Sequence, residues 1–159
     1  MALNCFLSLT VVLTAMASPL IYAVDTFNLV TNGGAGEREV RVTNLGNGEG
    51  SLRHAIDEPG PKTIIFDVAG VIDLQMDSLV LTTPFTTIAG DSAPPPGITL
   101  IRGGLAIRAH DIIVRHLRIR PGEAGASKGS GWEVDGISTS GGAHNVIIDH
   151  CSLSWATDE

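Results

Sequence analysis

Cysteine is all but missing from this sequence, and aromatic side chains and positive charge are scarce. Only Cys5 and Cys151 occur. Because Cys5 lies in an apolar leader, the mature chain cannot close an internal disulfide and has to be held by packing. Cys151 sits in an apolar alternation and reads as a small core residue rather than a reactive thiol. Aromatic residues make up 4% and charged residues 17% of the chain, with 19 glycines. That balance is unusual for a helical enzyme and suits many short strands separated by tight turns. With 10 Lys and Arg against 17 Asp and Glu, the formal net charge is -7. No basic field is left to attract nucleic acid, and an anionic polymer would be repelled unless a bound cation intervened. Long helical periodicity is also missing. Residues 51–57 alone suit a couple of helical turns, with Ser51 as the cap.

What is present begins with residues 1–23, apolar and free of charged side chains, giving way to the polar Asp25. This reads as a secretory signal peptide, although no Lys or Arg precedes the apolar stretch, and Pro19 breaks the run too early for a membrane span. The expectation is a secreted, extracellular protein with no membrane segment after leader removal, its residues 24–159 belonging to one domain. Strand-like runs fall at 63–66, 71–74, 78–82, 86–89, 98–101, 105–108, 112–119 and 146–155, and Gly, Pro, Asn or Asp punctuates nearly all of them. The longest loops are 91–97 and 121–133.

An internal repeat decides between architectures. Ala109-His110-Asp111-Ile112-Ile113-Val114-Arg115-His116 matches Ala143-His144-Asn145-Val146-Ile147-Ile148-Asp149-His150 at an offset of 34, with four of eight positions identical. Both copies also switch phase: Ile112 and Val114 share one parity and Leu117 and Ile119 the other, as Val146 and Ile148 give way to Cys151 and Leu153. Two strands meeting at a corner explain the switch. Repeated strand-corner-strand units that cannot bury their apolar face alone predict an all-β solenoid, with a β-sandwich as the alternative. By the same offset His110 stacks on His144, His116 on His150, and Asp149 lies opposite Arg115, where a structural charge pair is expected. Two such histidine pairs suggest zinc as one alternative, but they lack the close ligand spacing of zinc sites, so stacking or hydrogen bonding at the corners is the expectation for them. Arg108, Arg118 and Arg120 read as a solvated or ladder-forming face, with contact to substrate carboxylates as the alternative.

The stretch Ile147-Ile148-Asp149-His150-Cys151-Ser152-Leu153-Ser154-Trp155 resembles the W-I-D-H signature strand of the pectate lyase and pollen-allergen family, with Ile147 where the family often has Trp. Trp132-Glu133-Val134-Asp135-Gly136-Ile137-Ser138 is similar to the acidic segment that precedes that strand. Thr87-Ile88-Ala89-Gly90, the Pro-rich loop, and Ile113 through Gly122 resemble the family's bacterial-type branch. The resemblance covers most of the chain after about Gly50. It implies a right-handed parallel β-helix, truncated on its C-terminal side, and a secreted, calcium-dependent lyase acting on pectate (polygalacturonate) by β-elimination. It also implies that a third calcium carboxylate and the catalytic Arg lie beyond Glu159, so that no catalytic residue is assigned here and the piece alone is expected to be inactive.

Asp135 and Asp158 are 23 residues apart, close to one coil of a solenoid, so they are expected on neighbouring rungs about 5 Å apart. Carboxylates that close repel unless a cation lies between them, and calcium takes oxygen ligands. By resemblance both positions match family calcium ligands, with Glu133 and Glu159 as further candidates; the alternative for all four is a solvated loop acid. Two such carboxylates could also serve a β-helix glycoside hydrolase acting on pectin, and a piece of a longer chain could be a non-catalytic polysaccharide-binding unit.

Overall fold

The computed structural model describes residues 31–158, so the leader at 1–23, with Cys5, and Glu159 lie outside the described residues. Twelve short strands carry the fold: β1 (Arg38–Val42), β2 (Lys62–Phe66), β3 (Gly70–Asp73), β4 (Leu79–Leu81), β5 (Thr86–Ala89), β6 (Ile98–Ile101), β7 (Leu105–Ile107), β8 (Ile112–Arg115), β9 (Leu117–Arg120), β10 (Ile137–Thr139), β11 (Val146–Asp149) and β12 (Ser152–Leu153). They form three sheets, ordered β1-β2-β5-β8-β11, β3-β6-β9-β12 and β4-β7-β10. Every pairing is parallel. The chain visits the sheets in rotation and returns one rung further on, which makes the fold a parallel β-helix solenoid.

Stacking of like on like builds the core. Val40, Ile64, Ile88, Val114 and Ile148 occupy one register column of the first sheet. Ile72, Leu100, Ile119 and Leu153 occupy one of the second. The middle members of both columns are sealed, whereas Ile148 remains 44% and Leu153 45% exposed on the last described coil. Each sealed side chain contributes about 1.5–3 kcal/mol by burial.

The corners explain the phase switch. Phe85, Asp111 and Asn145, one residue ahead of the first sheet's strands, all take positive φ (53°, 57° and 54°), as do His116 (55°) and His150 (51°) just after them. One left-handed residue turns the chain and resets which parity faces inward. Asp, Asn and His are among the side chains that tolerate this conformation best. The strand pairs expected within 112–119 and 146–155 are there as β8–β9 and β11–β12, with His116 and His150 as their corners.

The helix α1 (Leu52–Asp57) starts where the sequence places it, the Ser51 hydroxyl accepting from the His54 N–H. Lys62 is buried behind it and donates to the carbonyls of Ile56 and Glu58, a cation at the end where helix carbonyls lack partners. Two strands escape the sequence reading. In β1, Arg-Glu-Val-Arg-Val has only two apolar residues, and β10 is three residues long.

Candidate functional site

The approach to β10 is built by an excursion of the chain. The Gly122 N–H donates to Trp155 O at 2.8 Å, and the Thr157 N–H donates to Val134 O at 3.2 Å. Gly122 and Val134 are twelve residues apart, yet their partners are two apart, so ten extra residues loop out over one coil. Without them the 34-residue repeat between β8 and β11 would match the 24-residue repeat between β2 and β5. Trp132 closes the neck of the loop, its indole N–H donating to Gly122 O at 2.9 Å. The Thr157 hydroxyl oxygen accepts from the Val134 N–H at 2.9 Å.

Asp135 follows Val134 and Asp158 follows Thr157, so the two lie on adjacent coils, one step beyond this bonded pair. Asp135 is half-buried, while Asp158 and Glu133 are exposed. Glu133 and Asp135 border a shallow depression of about 150 Å³ together with Ser78, Leu105, Ala106 and Ser138. Gly104 fixes how closely this segment sits on the coil beneath. A Cβ at Gly104 would lie 2.0 Å from Asp135 O, so a side chain there would push the strand off. The Leu105 N–H meanwhile donates to Gly136 O at 3.0 Å. Glu133, Asp135 and Asp158 offer carboxylate oxygens, the donor type that suits calcium better than zinc or copper, but among the described residues the three do not close into a group of metal-ligand atoms.

The other candidates separate. Arg115 does lie in register with Asp149, but the expected charge pair does not form. Arg115 Nε sits 2.8 Å from Asp91 Oδ1, at an angle that leaves the N–H without an acceptor, while Asp149 turns to the His150 ring. The competing partner comes from the 3₁₀ turn Gly90–Ser92, which pair counting along strands does not reach. Arg118 donates to Thr99 Oγ1 and Pro96 O, and Arg120 to Ser152 O and Oγ, so both brace neighbouring coils in the ladder-forming role. Cys151 is half-buried with its thiol near Val114 O at 3.6 Å, and burial pushes the thiol above its ordinary pKa, as suits a packing residue. Both histidine pairs stack: His110 on His144 at 5.0 Å and His116 on His150 at 4.8 Å between ring centroids.

No family model matches the chain. Over 120 residues, 74% of this chain, it is 42% identical to "Probable pectate lyase C" of Aspergillus flavus, covering 26% of that protein. Over 129 residues, 80% of this chain, it is 43% identical to "Probable pectate lyase C" of Emericella nidulans, covering 28% of it. The chain belongs to the pectate lyase family. A plant member, "Probable pectate lyase 18" of Solanum lycopersicum, is 34% identical over 157 residues, 86% of this chain and 37% of that protein. The chain thus spans about a quarter to somewhat over a third of the length of the curated relatives it matches. Family membership accords with the parallel solenoid and with the signature stretch through His150, which forms a strand and its corner.

Proposed function

We propose that this chain is part of a secreted, calcium-dependent pectate lyase that cleaves polygalacturonate by β-elimination, with residues 1–23 as its signal peptide and Asp135 and Asp158 as calcium ligands. The observation that carries the reading is the doubled hydrogen bond between Val134 and Thr157, which brings two acidic residues to adjacent coils at the foot of a projecting loop. Relatives named pectate lyase support the reaction class. Glu133 is a further ligand candidate beside Asp135, and Glu159 follows Asp158 in sequence.

Calcium held by Asp135 and Asp158 would supply local positive charge that withdraws electron density from the uronate and acidifies its carbon 5 proton. The chain's own residues hold and orient. Gly104 sets the height of the Asp135 strand, Thr157 ties the next coil to it, and Trp132 closes the neck of the loop that leads into Asp135. The net charge of -7 is compatible with an anionic substrate on this reading, because attraction is local rather than global. No residue is assigned as the base that takes the proton.

Calcium titration calorimetry on the chain and on its Asp135→Ala variant tests the ligand assignment; affinity has to fall in the variant, and an unchanged affinity removes Asp135 from the site. On the whole protein, ultraviolet absorbance of unsaturated oligogalacturonates, abolished by a chelator, is the expected product signal. Saturated reducing ends that persist in chelator would instead identify a two-carboxylate hydrolase.

A further inference from the structure

The signature strand ends in a cluster that the calcium reading does not use. His116, Asp149 and His150 are all exposed, and one ligand atom from each lies within 4.8 Å of the others. His116 and His150 come from adjacent coils, each at a corner of positive φ, with rings parallel to within 9°. Asp149 Oδ1 lies 2.6 Å from His150 Nδ1. The 34-residue offset brings the three together, without the close ligand pairs that mark a zinc motif in sequence.

We propose that His116, Asp149 and His150 bind a d-block divalent cation such as zinc, nickel or copper, clipping two adjacent coils together. Two imidazoles and one carboxylate are donors that such ions favour and that calcium does not. Zinc bonds to imidazole nitrogen and carboxylate oxygen at about 2.0–2.2 Å, which sets ligand atoms roughly 3.3 Å apart in a tetrahedral site. The Asp149–His150 contact therefore opens by less than about 1 Å, and the widest separation closes by about 1.5 Å. Exposed side chains make such changes by rotation. Water fills the remaining position. On binding, the cation takes the place of the proton shared by His150 Nδ1 and Asp149, and that proton leaves to solvent.

The neighbours support the choice of this corner over the other. His110 and His144 stack in the same manner, but the carboxylate there is consumed: Asp111 bonds His110, Asn145 and Thr31 and is largely buried. Arg115 faces Asp91, so its charge is balanced beside the proposed site. Cys151, next in sequence, points its sulfur at Val114 O and stays out of the set.

Tag-free chain titrated with zinc chloride in millimolar calcium should bind one equivalent. His116→Asn and His150→Asn should each weaken binding by at least about tenfold, since Asn keeps the left-handed corner that each histidine occupies. Circular dichroism matching that of the parent secures the fold of both variants. His144→Asn should bind as the parent does, and the copper complex should give the electron paramagnetic signature of two coordinated nitrogens. Parent-like zinc affinity in either the His116 or the His150 variant, or displacement of zinc by calcium, overturns the site. Because the readout is binding in excess calcium, it stands or falls separately from the proposal for Asp135 and Asp158.

Discussion

Replacing Gly104 by alanine adds one methyl group and aims it at the Asp135 strand. The new Cβ would stand 2.0 Å from Asp135 O and 2.9 Å from Gly136 O, where real Cβ contacts do not fall below 3.0 Å. The upper coil has to lift by about 1 Å, since its backbone has no soft end to bend aside. That movement stretches the bond from the Leu105 N–H to Gly136 O, which lies at 3.0 Å at rest. A lost hydrogen bond of this kind costs about 1 kcal/mol, and overpacking adds about 1–3 kcal/mol. The expected loss is therefore about 2–4 kcal/mol, a fall of about 1–2 M in urea midpoint for a denaturant slope near 2 kcal/mol/M. Gly48→Ala is the matched control, because nothing lies within 4 Å of its Cβ and no positive φ is involved. It should stay within about 0.5 kcal/mol of the parent. Urea denaturation followed by circular dichroism reads both variants. Equal midpoints for Gly104→Ala and Gly48→Ala would refute the close coil approach beneath Asp135.

Two further outcomes are expected. Ile88→Ala should cost about 2–5 kcal/mol, while Ile148→Ala, in the same register column but 44% exposed, should cost less than half as much in the same denaturation assay, and equal costs would contradict the column. The Arg102 guanidinium, with the Gln75 N–H, holds Asp73 below its ordinary pKa of 3.8, so its folded value is the depressed one. The stabilisation it brings is complete above the unfolded value and is lost as pH falls through the folded one. The stability gap between the parent and Asp73→Asn should accordingly stay level from neutrality to about pH 5 and narrow only below about pH 4; a gap that closes between pH 5 and 7 would count against the pairing.

The solenoid was legible because its rule is local. Parity switches at His116 and His150 are visible in the spacing of apolar residues, and the offset of 34 gives the register of β8 with β11 directly. The helix was legible from Ser51, whose hydroxyl can cap only a helix on its C-terminal side. What escaped depends on neighbours that strand spacing does not specify. Asp91 outcompetes Asp149 for Arg115 because a 3₁₀ turn carries it there. Lys62 falls outside the strand expected at 63–66 because a buried cation is intelligible only once the carbonyls of Ile56 and Glu58 are seen above it. At the candidate calcium site, the spacing of 23 between Asp135 and Asp158 suggests adjacent coils, and the loop expected at 121–133 is the excursion beside it, whereas the bonds that close its neck, Gly122 to Trp155 and Val134 to Thr157, are not readable from spacing.

That excursion has a consequence for how the chain can change. Pairing β11 on β8 closes 34 residues where pairing β5 on β2 closes 24. Closure entropy grows only with the logarithm of length, so the difference amounts to about 0.3 kcal/mol. Lengthening the turn next to Asp135 therefore leaves the folding of the stack almost untouched, and each strand still searches no further than one coil for its partner. The length and polarity of the loop next to Asp135 can be varied by insertion at this one corner, while the columns of isoleucine, valine and leucine beneath it keep their register.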